Sequence, residues 1–161
     1  AARRALGELR EQIDAAADAV REVAHGLSPR ILSEQGLGPA LEELTAGLPV
    51  ETDVSWEGRT GSGAPSPSDE ASEDLYLIAS EAITNAMKHS GCSRIEVDVA
   101  RQDDVVQLTV RDDGAGGAAP TGRGILSMAA RARRLGGTFE LVSPDGGPTT
   151  VTVRIPSGGP R

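Results

Sequence analysis

"EAITNAMKHS", residues 81–90, reads as the last turns of an amphipathic helix whose polar side is chemically mixed. Asn85, Lys88 and His89 follow Glu81 at offsets of four, seven and eight, so a carboxylate, an amide, an ammonium and an imidazole lie broadly along one side. An amide oxygen suits Mg²⁺, a cation that prefers oxygen ligands and keeps waters and phosphates around it. An ammonium offers phosphate a point charge, and a carboxylate can orient a water or act as a base. Taken alone, the same four residues make a polar helix face. What the rest of the chain sets against that face decides between the two.

Upstream, Ser66-Pro67-Ser68-Asp69 supplies an N-cap, a proline at the first helical position and an early acid, so the helix starts there and stops at Gly91. Before it, "GRTGSGAPSPS" (58–68) is a flexible connection, and the alternation of Val50, Thr52, Val54 and Trp56 predicts a strand. A short helix near Gly38–Ala46 carries Leu37, Leu41, Leu44 and Leu48 on one side. At the start, Leu6, Leu9, Ile13, Ala16, Val20, Val23 and Leu27 alternate spacings of three and four, a heptad seam that predicts a helix pairing with another, in cis or across a dimer. Gly26 and Pro29 end it.

Downstream, Arg94–Ala100 and Val105–Arg111 alternate as two strands of a hairpin around "RQDD". The loop "DDGAGGAAPTGRG" (112–124) then feeds a helix of about Ile125–Leu135, ended by Gly136-Gly137. A last hairpin joins Thr138–Ser143 to Thr149–Ile155 through "PDGG", and the tail is expected to be disordered. The fold class that follows is α+β: a two-layer α/β sandwich with helices on one face of a mixed sheet, preceded by an N-terminal helix. The domain division expected is 1–30, 31–156 and a tail at 157–161.

Composition narrows the function. With aromatics at only 2% of 161 residues, the core must be built from Val, Ile, Leu and Ala. A formal charge of −8 argues against nucleic acid as the main partner, because phosphate contacts need clustered Lys and Arg. One cysteine, Cys92, excludes an internal disulfide and a Cys-based zinc cluster. No run approaches the ~18 apolar residues of a membrane span, so no membrane contact is expected of this chain and the reading is cytoplasmic. The abrupt helical opening suggests a piece of a longer protein, whose parent could still be membrane-anchored.

The glycines do not form a P-loop or a dinucleotide-binding fingerprint. They cluster after the acid that ends a strand, at Asp112-Asp113-Gly114-Ala115-Gly116-Gly117, and again at Gly122-Arg123-Gly124 before a helix start. Free N–H groups and the helix dipole favour an anion at such a start, and glycine lets the backbone come close to it. A surface loop would account for the first cluster alone.

Together, "EAITNAMKHS", "VRDDGAGG", "GRGILSMAARARRLGG" and "GPTTVTVRIP" resemble, in order and spacing, the ATP-binding catalytic domain of bacterial sensor histidine kinases. They look like its N box, two glycine boxes and closing strand, in the flavour of the nitrate-sensor and DesK-like branch. "VAHGLSPRILSEQGLGPALEEL" is similar to the passage from that branch's second dimerisation helix, so the likeness spans about residues 20 to 156. The fold implied is the Bergerat-type sandwich shared with type II topoisomerases and Hsp-type chaperones.

The resemblance also implies roles. Asn85 would hold Mg²⁺, with Glu81 near the metal and its waters as the second catalytic residue. Lys88 would lie near the phosphates of ATP. Asp112 would accept a hydrogen bond from the adenine amino group, with Gly114 and Gly116 curving the backbone round the base. Gly122, Gly124 and Ile125 would line the phosphate end, and Thr149 would support the adenine end beside Asp112. The partners implied are ATP, the protein's own dimerisation and phosphoacceptor domain in a homodimer, and a cognate response regulator.

Two departures stand out. Pro148 occupies the place where a glycine is usual before the strand threonine. Neither His25 nor His89 sits in an acceptor-histidine box, so both are read as structural and no autophosphorylation is expected of this chain alone. An anti-sigma-factor-type serine kinase of the same fold, which lacks the helical lead-in, and a degenerate nucleotide-binding module are the alternatives.

Overall fold

The computed structural model describes residues 30–56 and 69–157. The heptad seam, His25, the cap at 66–68, the connection at 58–68 and the end of the tail lie outside the described residues.

The first described elements are α1 (Arg30–Gln35) and α2 (Leu37–Thr45), parted by Gly36 at φ 88°. Of the leucine stripe, Leu37 and Leu41 are buried and Leu44 and Leu48 are half-buried against the core, with Leu32 and Ala40 buried beside them. β1 (Glu51–Trp56) follows, then α3 (Asp69–Asn85), β2 (Arg94–Gln102), β3 (Val105–Asp112), α4 (Arg123–Arg134), β4 (Thr138–Val142) and β5 (Thr149–Pro156). These match the expected elements to within a residue or two at most ends.

The five strands form one sheet in the order β1-β2-β3-β5-β4. β1 runs parallel to β2, and the other three pairs are antiparallel, so the sheet is mixed as expected. Period-two alternation sorts its faces. Ile95, Val97, Val106, Leu108, Val110, Val151, Val153 and Ile155 are all buried, while their neighbours Glu96, Arg111 and Arg154 stand outside the core. The helices cover the apolar face with Leu75, Ile78, Ala79, Ala82, Ile83, Met128 and Ala132. Aliphatic side chains thus fill the core, as the scarcity of aromatics required.

Two glycines are fixed by close packing. A Cβ on Gly38 would enter the ring of Trp56, and one on Gly137 would lie 2.7 Å from Ile155 Cγ2. Gly38 therefore lets α2 lie directly on β1, and Gly137 lets the chain leave α4 against β5.

α3 and α4 run antiparallel. Asp74, near the start of α3, accepts hydrogen bonds from Arg131 Nη1 at 3.2 Å and Arg134 Nε at 3.0 Å near the end of α4. At the opposite ends, Gly124 lies against Glu81 and Asn85.

The main departure from the sequence reading is at the end of the long helix. The α-helix stops at Asn85, and Ala86–Ser90 continue as a single π-helical turn before Gly91 closes it at φ 61°. Ser90 Oγ donates to the Ala86 carbonyl at 2.8 Å and accepts the Cys92 N–H at 3.2 Å, which satisfies both sides of the widened turn. A π turn changes the angular step between residues. Lys88 and His89 lie on that turn, and both are exposed.

Candidate functional site

Glu81 and Asn85 sit one turn apart on the last part of α3, both half-buried. The first turn of α4 enters directly against them. A Cβ on Gly124 would overlap Glu81 Oε1 and lie 3.0 Å from Glu81 Cδ and 3.3 Å from Asn85 Nδ2. Only a residue without a side chain allows that approach.

Gly122 is the N-cap of α4 and makes no side-chain hydrogen bond there; its carbonyl accepts the Leu126 N–H at 2.9 Å. The N–H groups of Arg123, Gly124 and Ile125 therefore belong to the orphan donors of a helix start, where the dipole attracts negative charge. An uncapped helix start thus lies beside a carboxylate and an amide.

The second part of the site lies at the end of β3. Asp112 closes that strand, buried at 6%, although a carboxylate usually faces water. It pairs across the ladder with Ile95 on one side and Thr149, the first residue of β5, on the other. One carboxylate oxygen accepts the Gly114 N–H at 2.9 Å, which turns the chain out of the strand. Thr149 Oγ1 lies 2.9 Å from Ser143 Oγ, which also accepts the Ala118 N–H at 3.0 Å. The hydroxyl of Thr149 is tied through Ser143 to the glycine-rich loop.

That loop is held at both ends by protein backbone. A Cβ on Gly114 would lie 2.5 Å from Ser90 Oγ, and the Ala115 N–H donates to the Ser90 carbonyl at 2.9 Å. Gly116, at φ 63°, faces the carbonyls of Pro144 and Gly147 with no room for a side chain. Its neighbours reinforce the contact: Gly146 N–H donates to Ala115 O at 2.7 Å and Gly117 N–H to Ser143 O at 3.3 Å. The close approaches that require Gly114 and Gly116 are thus to the π turn and to the β4–β5 turn.

Asp113, adjacent to Asp112, points the other way, as alternation at a strand end demands. Its carboxylate accepts Ser93 Oγ–H at 2.6 Å, Ser93 N–H at 2.8 Å and Arg94 N–H at 2.9 Å. The Ser93 hydroxyl foremost, then the two backbone N–H groups, lower its pKa from 3.8 to about 2. Asp113 pins the root of the loop to β2.

The structure therefore brings Gly124, between Gly122 and Ile125 at the start of α4, against Glu81 and Asn85, and groups Asp112, Gly114 and Thr149 at the end of β3, with Ser90 against the loop. Lys88 and His89 stand exposed on the π turn, and Gly116 packs against the β4–β5 turn. Sequence reasoning gave no role to Ser90 and Asp113, although both stand inside the stretches 81–90 and 112–117, nor to Asp74.

A mixed sheet layered with two antiparallel helices, a buried acid before a glycine loop and a polar face under a helix start define a class of nucleotide-handling domain. Residues 70–159 match the family of histidine kinase-, DNA gyrase B-, and HSP90-like ATPases, and the chain belongs to that family. Over 161 residues it is 35% identical to the nitrate/nitrite sensor protein NarX of Escherichia coli K12, spanning 94% of this chain and 26% of that protein. It is 30% identical to the signal transduction histidine-protein kinase/phosphatase UhpB of Salmonella typhimurium (93% of this chain, 31% of that protein). It is 28% identical to the sensor histidine kinase MctS of Rhizobium johnstonii (94% and 34%). The chain thus spans about a quarter to a third of these relatives. Its fold is shared with the histidine kinase domain of an Erythrobacter litoralis blue-light-activated kinase (TM-score 0.59, 18% identity, 78% of this chain and 63% of that one). The ATP binding domain of PrrB from Mycobacterium tuberculosis is likewise similar (TM-score 0.55, 22% identity, 78% and 92%).

Proposed function

We propose that residues 31–156 are the ATP-binding catalytic domain of a two-component sensor histidine kinase, and that residues 1–30 belong to its dimerisation helix. In the whole protein this domain donates the γ-phosphoryl of ATP to a histidine, from which a response regulator takes it. The observation that carries the reading is the packing of Gly124 against Glu81 and Asn85. It sets an anion-favouring helix start next to a carboxylate and an amide.

The roles follow from the chemistry of each group. Asp112, buried at the end of β3, suits the adenine amino group, since a carboxylate accepts and an exocyclic amine donates. Thr149 stands beside it in the ladder. Gly122, Gly124 and Ile125 offer backbone N–H groups to the phosphates. Lys88, exposed on the π turn, can reach toward them as a mobile charge.

Among the described residues, no group of three or more His, Cys, Asp or Glu could cage a metal. A cation beside Asn85 and Glu81 would have one or two protein oxygens, a donor set that fits Mg²⁺, which retains water and phosphate ligands. Mg²⁺ bound there would neutralise phosphate charge as phosphoryl transfer proceeds. The protein's own contribution is positioning and electrostatics. Asn85 and Glu81 orient the polar end, and the glycine loop and β5 hold the base.

The relatives favour this reading over the serine kinase and the degenerate module. Binding of labelled ATP in the presence of Mg²⁺ tests the pocket: Asp112→Ala should abolish it, and an unchanged affinity would overturn the assignment. Asn85→Ala should impair Mg²⁺-dependent turnover more than nucleotide binding, and equal loss of both would count against the metal role. The intact parent protein, given γ-labelled ATP, should acquire acid-labile phosphate, as a phosphohistidine does. Acid-stable label would identify the serine kinase instead, and ATP binding without label the binding module.

A further inference from the structure

Among the described residues, Asp74 is the most deeply buried acid outside the site, with its side chain 1% exposed. It lies two turns before Glu81 on α3, and its partner Arg131 lies two turns after Gly124 on α4. Seven residues of α-helix rise about 10.5 Å, so the two antiparallel helices are fastened at two points the same distance apart on each. One fastening is the carboxylate with Arg131 and Arg134; the other is the glycine contact that forms the proposed phosphate end.

Between the two points, α4 buries Met128, Ala129 and Ala132, of which two are alanines. The alanines give shallow ridges, so directional restraint there falls to the packing of Met128 and to the charged fork. The ionic fastening is directional. Arg134 presents Nε and Nη2 to the two oxygens of Asp74, a bidentate fork, and Arg131 Nη1 adds a third donor. The acid is buried while Arg131 and Arg134 are 26% and 58% exposed, and the best-attested use of a buried charge with its partners is to fix register.

We infer that the Asp74–Arg131–Arg134 cluster is a positioning device that sets the register of α4 on α3, and so holds the uncapped start of α4 against Glu81 and Asn85. The inference rests on the proposed ATP site. Without the fork that directional restraint on α4 is gone, and a shift of one residue, about 1.5 Å, carries Gly124 off the Glu81–Asn85 face. Binding at the phosphate end then weakens, while the adenine end is untouched, because Asp112 and Thr149 are held by β3, β5 and Ser143.

The test compares ATP with adenosine on the whole chain, by calorimetry for the first and NMR titration for the second. Asp74→Asn, which keeps the shape and removes the charge, should weaken Mg²⁺-ATP binding at least ten-fold and change adenosine affinity less than two-fold. Arg134→Gln, at a residue 58% exposed and so tolerant of change, should shift ATP affinity in the same direction by a smaller factor, with Arg134→Lys recovering part of it. It keeps the question answerable if Asp74→Asn does not fold. Equal loss of ATP and adenosine affinity, or no loss of either in both variants, would overturn the positioning role. A wild-type chain that binds neither would overturn the ATP site and the inference together.

Discussion

Gly116 and Gly146 make a matched pair, because both hold left-handed backbone, at φ 63° and 73°, in the two turns that face each other. An alanine at either costs about 1 kcal/mol of backbone strain. They differ in what a side chain would meet. At Gly146 nothing lies within 4 Å, whereas at Gly116 the Cβ would overlap the Pro144 carbonyl and lie 2.5 Å from that of Gly147. Backbone atoms cannot rotate away, so the overlap is relieved only if the loop detaches from the β4–β5 turn. Detachment breaks Gly146 N–H···O Ala115 and Gly117 N–H···O Ser143, each contributing about 1 kcal/mol. That exit is cheaper than a sustained clash and sets the ceiling. Gly116→Ala should therefore be destabilised by about 3 kcal/mol and Gly146→Ala by about 1 kcal/mol, a difference of about 2 kcal/mol measured by urea unfolding. Nucleotide affinity should follow the detachment and fall at least ten-fold in Gly116→Ala while Gly146→Ala binds as wild type. Coincident unfolding midpoints for the two variants would refute the claim that the glycine loop is held by the β4–β5 turn.

Further outcomes follow from other contacts. Gly124→Ala meets the mobile end of Glu81, which can swing aside, so stability should drop by no more than about 1–2 kcal/mol while ATP turnover falls at least ten-fold; comparable folding with wild-type turnover would refute the contact. Asp113, whose pKa is lowered to about 2, stabilises the loop root fully above its unfolded value of 3.8. This stabilisation is lost as pH falls from about 4 through 2, so the acid-unfolding profile of Asp113→Asn should lose that dependence. Leu108→Ala, at a fully buried position in the middle strand, should cost about 2–5 kcal/mol by urea unfolding without altering the ratio of ATP to adenosine affinity.

Much of the site was legible because its signals are local. Asp112 ends an alternating strand and precedes glycines, and Gly122 and Gly124 precede a helix, so their types and places in the chain already imply a pocket edge and an anion-favouring start. Ser90 and Asp113 were not legible as site-building residues. Ser90 matters through its contact with Gly114, and Asp113 through hydrogen bonds to Ser93 and Arg94 across the strand ends. The π turn was hidden because a one-residue change in winding leaves apolar spacing nearly intact.

The sequence by itself determined the strands, through period-two alternation, and the long helices, through apolar periodicity and glycine stops, since both patterns arise from backbone geometry repeated along the chain. It also determined which residues could serve a nucleotide, because carboxylate, amide and glycine have few substitutes in those tasks. Only the tertiary structure decided that Glu81 and Asn85 lie against Gly124, and that Asp74 fastens the far end of the same helix pair. Those facts depend on register between segments about 40 and 60 residues apart, which is set by packing and by charges gathered on a buried carboxylate rather than by any local preference.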